Sequence, residues 1–332
     1  MFFFLPLGHD RTVHGYPWAT LTIMAACCLT FIVTSVMQAD VEGKIDQQLA
    51  VVHDVTQRYP QARVHWDVDG LPEAYKEAVF DGLTAPERIV AAPGDEELDV
   101  EATRLLQLYN ELPVLRFGYQ PAKPRPITLL TNLFIHAGWL HLLGNMLFLF
   151  LAGSVIERFW GWWRFVPFYL LSGVGATLLY QLFNGGSYAP VVGASGAIAA
   201  CLAAFAVGHP RARVRVLAVV FLVVWFWYDV VPVKAWVCVT AWVATQLVWA
   251  IAAPHAGVAY WAHLGGLGIG ALGGLLAARF GWRTGDSDNA LDEAHLQPAL
   301  AAPAGRRRAA GARSAVGMLR RAREIAARQP QG

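Results

Sequence analysis

The sequence predicts an all-α membrane protein, and three observations carry that reading. The chain of 332 residues is 56% hydrophobic and only 15% charged, far from the composition of a soluble domain. Its apolar residues gather into seven stretches approaching the ~20 that a bilayer-crossing helix needs, at 18–37, 127–152, 165–183, 191–207, 214–231, 235–253 and 260–280. Its charges are sorted by sign along the chain, acidic between the first two stretches and basic at the end.

Residues 1–38 read as the N-terminus and first transmembrane helix. The apolar run is longer than the ~7–15 residues of a signal-peptide core and no A-x-A-like site follows it, so an uncleaved span is expected. Residues 39–126 form a non-cytoplasmic polar loop with 16 Asp+Glu against 9 Lys+Arg, a balance of −7, and nothing basic anchors it to the cytoplasm. It is partly helical: Leu98, Ala102, Leu105, Tyr109 and Leu112 recur at helical spacing, and 72–80 reads as a short helix. Residues 127–280 hold the remaining spans. Arg158 and Arg164 flank the end of the second, and Arg211, Arg213 and Arg215 follow the fourth, which places those linkers in the cytoplasm. The tail, 281–332, has 9 Arg against 5 acids and is expected to be cytoplasmic and partly disordered, with a basic helix over 314–328 lying on anionic lipid. Cys27, Cys28, Cys201 and Cys238 all fall in apolar stretches and read as small apolar fillers.

Polar side chains are costly in lipid, so those inside apolar stretches point to function. Ser195 is the one hydroxyl in the run from Val191 to Ala200 and sits in Gly193-Ala194-Ser195-Gly196. His141 and Asn145 are four apart on one helix face, so their donors can aim at a single spot. His263, Gly266 and Gly270 share a face at i, i+3 and i+7, which sets an imidazole on the stripe that lets another backbone approach. Each feature alone also fits plain helix packing or hydrogen bonding between helices, and the serine lacks the full G-x-S-x-G elbow. Together they supply a nucleophile, a base and a pair of oxyanion donors, and that combination reads as an active site.

On these motifs the chain resembles the rhomboid intramembrane serine proteases. The likeness runs from Ile127 to about Arg279. It takes in Phe134-Ile135-His136, the His141-Leu-Leu-Gly-Asn145 run, Glu157-Arg158, Gly193 to Gly196, and Ala262-His263-Leu-Gly-Gly266 with Gly270. It implies a six-transmembrane-helix bundle, here with an enlarged polar first loop, around a water-filled cavity open to the non-cytoplasmic side. It implies Ser195 as nucleophile, His263 as general base and then acid with no acidic third member, and His141, Asn145 and the Ser195 amide as oxyanion donors. His136 matches a histidine that supports the loop and water network near the site, and Gly193, Gly196, Gly266 and Gly270 support the motifs. Ala199 stands where some members of the family carry an aromatic residue stacked on the catalytic histidine.

Six spans against seven apolar stretches can be checked by parity. Ser195 and His263 both begin their spans, so they share one end of the bundle only if an even number of spans separates them. The segment 214–231, which starts with Arg215 close by and ends in Asp229 and Pro232, is therefore expected to be embedded at the cytoplasmic face without crossing.

The implied activity is a serine endopeptidase cleaving substrate transmembrane segments in or near the bilayer, with small residues at the cleavage point and helix-breakers nearby. The implied partners are transmembrane protein substrates and membrane lipid; no cofactor, metal or nucleic acid is expected. The implied location is a bacterial inner membrane with the C-terminus in the cytoplasm. The alternative is a catalytically inactive relative that binds client membrane helices, from which Ser195 and His263 together set this chain apart. A transporter with a buried polar path would predict internal repeats, and the two halves show none.

Overall fold

The computed structural model describes residues 2–9, 16–65, 83, 91–210, 212–222, 225–252 and 258–282. The helices expected over 72–80 and 314–328 lie outside these residues. The principal helices are α1 (Trp18–Arg58), α2 (Asp95–Glu111), α3 (Trp139–Trp160), α4 (Trp162–Asn184), α5 (Ser195–Gly208), α6 (Ala235–Ala252) and α7 (Tyr260–Arg279). Of these α1, α3, α4, α6 and α7 are long and apolar enough to cross a membrane, whereas α5 is apolar but has only 14 residues.

Helix α5 sits at the centre because it is apolar on every side. From Gly196 to Ala206 nearly every residue is buried, most of them alanine, the best helix former and the smallest that still fills space. The helix shares one core with larger side chains of other helices, among them Phe31 of α1, Leu149, Val155 and Ile156 of α3, and Phe165 and Tyr169 of α4. Helices α3 and α4 are joined through the single residue Gly161, whose φ of 78° is a conformation that glycine alone adopts at no steric cost.

The start of α1 is held by a side chain from another helix. Its first turn contains no acid of its own. The buried Glu157 carboxylate near the end of α3 instead accepts from the Ala19 amide (2.9 Å), the Thr20 amide (2.8 Å) and the Thr20 hydroxyl (2.7 Å). Backbone N–H groups that a helix start leaves unpaired are thereby satisfied, and α1 is tied antiparallel to α3.

Four expectations need correction. First, α1 does not end near residue 38 but continues as one helix to Arg58. Polar residues mark where the chain leaves an apolar medium; they do not stop a helix. What stops it is Pro60, which disfavours helical geometry at Tyr59, found at φ −128°, ψ 77°. The polar extension carries the stripe Val41, Ile45, Val52 and Val55, which packs on Leu98, Ala102, Leu105 and Tyr109 of α2 in a second core. Second, the run from Ile127 is not the beginning of a span. It forms short helical turns at Thr128–Thr131 and Asn132–Phe134, and α3 starts only at Trp139. Third, the apolar stretch 191–207 is helical only from Ser195, which begins its helix as expected; Val191 bridges in extended form to Tyr119.

The fourth correction touches the all-α class itself. The segment 214–231 is a hairpin of β2 (Arg213–Leu222) and β3 (Trp225–Lys234), paired antiparallel from Arg213↔Lys234 to Leu222↔Trp225. Strand β1 (Phe2–His9) adds along the other side of β2, from Phe2↔Val220 to His9↔Val214. An unbroken apolar run has no period to separate helix from strand, and the β-branched residues crowding Arg213–Leu222 favour the strand.

Replacing Glu157 by Ala strands two helix-start amides in an apolar setting, an expected loss of the order of 1–3 kcal/mol. The Gln variant keeps one carbonyl acceptor and should fall between it and the parent. Thermal unfolding in detergent, followed by aggregation or tryptophan fluorescence, checks the order; an Ala variant that melts with the parent removes the carboxylate from α1.

Candidate active site

The backbones of α5 and α7 touch along a repeat of four residues. A Cβ placed on Gly266 would lie 2.1 Å from the Gly196 carbonyl oxygen, and one on Gly270 would lie 2.1 Å from that of Ala200. One turn further on, Gly274 meets the Ala204 backbone at 3.1 Å. Only a residue without a side chain fits the first two positions. On the α4 side, Gly196 similarly leaves room for Ala176, whose Cβ would be 2.8 Å from an added one.

This contact determines where the reactive side chains fall. Ser195 opens α5 next to Gly196, and His263 lies three residues before Gly266, one turn into α7. Ser195 Oγ and His263 Nε2 are 2.8 Å apart. The other ring nitrogen, Nδ1, is 2.7 Å from Gln246 Oε1 on α6. Trp242, one turn before Gln246, lies beside the ring with centroids 5.6 Å apart and planes inclined at 34°. The sequence reading missed Gln246; its available signal was an amide in an otherwise apolar span.

Two donors converge on the same place from α3. The turn before Ser195 runs through Gly193, whose φ is 113° and whose amide donates to the Asn132 carbonyl at 2.8 Å. A Cβ there would lie 2.6 Å from His141 Nε2 and 3.3 Å from Asn145 Nδ2, so the bare Cα is what leaves both nitrogens uncovered. His141 Nδ1 accepts from the Ala137 amide at 3.4 Å, which leaves the ring proton on Nε2, facing Gly193. Asn145 is 7% exposed, and its Nδ2 has no partner among the described residues. The Ser195 amide is in the first turn of α5, where helices leave N–H groups unpaired.

His136 precedes α3 in a loop and packs edge-on to His141, with ring centroids 5.2 Å apart. Its Nδ1 donates to the Phe134 carbonyl at 3.2 Å, and its buried Nε2 has no protein partner among the described residues. Burial first, and the neighbouring His141 second, push its pKa down to about 4, so the ring is neutral at ordinary pH.

Ser195, His263, His141 and Asn145 all line one cavity of about 880 Å³ that lies between α3 and α6. Below this polar end its walls are apolar, formed by residues such as Phe148, Leu202 and Val239.

The family model of the Rhomboid domain matches residues 123–280. The chain carries a Rhomboid domain. Its relatives include RHOMBOID-like protein 1 of Arabidopsis thaliana, 33% identical over 115 residues covering 27% of this chain and 29% of the relative. Rhomboid protease GluP of Bacillus subtilis (strain 168) is 41% identical over 76 residues, 23% of this chain and 14% of the relative. Rhomboid-type serine protease 2 of Emericella nidulans is 34% identical over 90 residues, 26% of this chain and 17% of the relative. The matched stretch thus spans less than a third of each of these relatives. With its apolar helices, this Rhomboid-domain protein is an integral membrane protein.

Gly266→Ala drives a methyl group into the Gly196 carbonyl, and overpacking of this kind costs about 1–3 kcal/mol. Gly268, exposed two residues on with nothing within 4 Å of an added Cβ, is the control, and its Ala variant should be neutral or slightly stabilising. Comparing the two melting temperatures in detergent tests the contact; equal values would show that α5 and α7 do not depend on it.

Proposed function

We propose that this Rhomboid-domain protein is an intramembrane serine endopeptidase that cleaves transmembrane segments of other proteins by a Ser195–His263 pair. The observation that carries the reading is the 2.8 Å contact between Ser195 Oγ and His263 Nε2, at a cavity wall shared with two N–H donors. His263 Nε2 takes the hydroxyl proton while Oγ attacks the scissile carbonyl carbon. The carbonyl oxygen, now negative, receives N–H groups from His141, Asn145 and the Ser195 amide. The imidazolium returns its proton to the departing amine, and the acyl-serine ester left behind is hydrolysed by water activated at the same nitrogen.

The shape of the protein suits a substrate in the bilayer. Helix α5 is about 21 Å long at 1.5 Å per residue, against a hydrocarbon thickness of about 30 Å, so as the sixth span it recesses Ser195 below the membrane surface. The apolar walls of the cavity between α3 and α6 suit an unwound stretch of a neighbouring membrane helix, and small residues suit the narrow end at Ser195. In this topology the site opens away from the cytoplasm, α1 leads to a non-cytoplasmic 39–126 region, and the C-terminus is cytoplasmic, in the inner membrane of a bacterial cell. Residues 127–280 are then the catalytic core and 281–332 a basic tail.

Ser195→Ala and His263→Ala should each abolish cleavage of a model transmembrane substrate in proteoliposomes, because the pair acts as a unit. Asn145→Ala should slow cleavage by about 10²–10³-fold, the usual cost of one oxyanion donor. Turnover persisting in the Ser195 variant would sink the mechanism, and a parent protein that binds the substrate without cleaving it would favour a client-binding role for the fold.

The orientation has its own test. In a cysteine-free background, a cysteine replacing Gly186 should react with a membrane-impermeant thiol reagent on intact cells, and one replacing Arg213 should not. The opposite pattern would invert the topology.

A further inference from the structure

We propose that Gln246 is the positioning residue of the site: its side-chain carbonyl holds the Nδ1 proton of His263 and thereby selects the tautomer whose Nε2 can accept the proton of Ser195. This inference rests on the serine-protease reading above and adds a third member, an amide, to the pair.

A neutral imidazole carries one proton, and the hydrogen bond at one nitrogen decides which nitrogen is free to act as a base. An acceptor 2.7 Å from Nδ1 favours the proton there and leaves the Nε2 lone pair toward Ser195 Oγ. Gln246 is only 7% exposed, so water does not compete for the bond. Among the described residues no carboxylate lines the cavity; besides His263 its titratable lining groups are His141 of α3 and Cys238 of α6, and of these His141 acts electrostatically on the ring. Among the described residues, Gln246 Oε1 is the side-chain oxygen hydrogen-bonded to Nδ1.

The geometry of α6 matches this role. Trp242 and Gln246 are one turn apart on the same face, so one helix supplies both a flat surface beside the imidazole and an acceptor at its edge. From α5, Ala199 is too small to reach over the ring. Helix α6 has three buried residues, Ala235, Gln246 and Ala250, and Gln246 is the polar one among them, beside the apolar packing of Val239, Trp242 and Val243 on α5 and α7. An amide orients the ring as a carboxylate would but adds no negative charge in an apolar setting, where an unpaired charge is costly.

The test is the rate of labelling of the full-length protein by a fluorophosphonate across a pH series, with the adduct located by mass spectrometry. Gln246→Met keeps length and apolar volume but loses the carbonyl; labelling at Ser195 should slow by about 10–10²-fold, a part of what a correctly placed base contributes. Gln246→Glu keeps the acceptor and adds charge; labelling should stay within several-fold of the parent. Its acidic limb should move to higher pH, because a carboxylate beside Nδ1 stabilises the imidazolium. A Met variant that labels like the parent, together with an unmoved limb in the Glu variant, overturns the proposal while leaving the serine reading intact. If the Met variant does not fold, the Glu profile decides alone. A parent protein that takes up no label at Ser195, behaving like Ser195→Ala, overturns the serine reading and this inference with it.

Discussion

The close approach of α5 and α7 is the constraint on which the site depends. Lipid gives two apolar helices no hydrophobic reason to associate, so close van der Waals packing must hold them, and that requires the side chains to be absent where the backbones meet. Gly266 and Gly270 meet the carbonyls of Gly196 and Ala200 at a distance that admits no Cβ. Because the contacts repeat every four residues, a slip of one residue would turn His263 by about 100° about its helix axis. The pairing is therefore a register device as much as an adhesive one, and the 2.8 Å contact of Ser195 with His263 follows from it.

The polar groups buried in the bundle divide into two kinds. Glu157 has its carboxylate fully engaged by α1, so its burial is compensated and its role is to join helices. Asn145 Nδ2 has no partner among the described residues, although it is just as deeply buried. An unpaired donor costs stability, and this one faces a glycine that leaves it open. The packing around α3 carries that cost at the place where an incoming oxygen would relieve it.

What could be read from the sequence depended on whether periodicity or tertiary contact carried the signal. The stripe of His263, Gly266 and Gly270 was legible because i, i+3 and i+7 define a face whatever surrounds the helix, as was the face of Leu98, Ala102, Leu105 and Tyr109 on α2. The bond between Gln246 and His263 was not, since a lone amide in an apolar helix says that a partner exists but not which one. The hairpin of β2 and β3 escaped for another reason: hydropathy reports burial and leaves secondary structure open where every residue is apolar, as from Val216 to Tyr228. The short turns after Ile127 were misplaced because apolar residues buried among helices look the same in sequence as those facing lipid.

The continuity of α1 has a mechanical consequence. A helix of 41 residues is about 60 Å long, roughly twice the apolar thickness of a bilayer, and it passes from the membrane core to the α2 contact without a break. It therefore acts as a lever with its inner end clamped at Glu157. Tilting it by about 5° would swing the far end by about 5 Å, given its 1.5 Å rise per residue, so a small change of slope among the membrane helices becomes a displacement of side-chain size at α2.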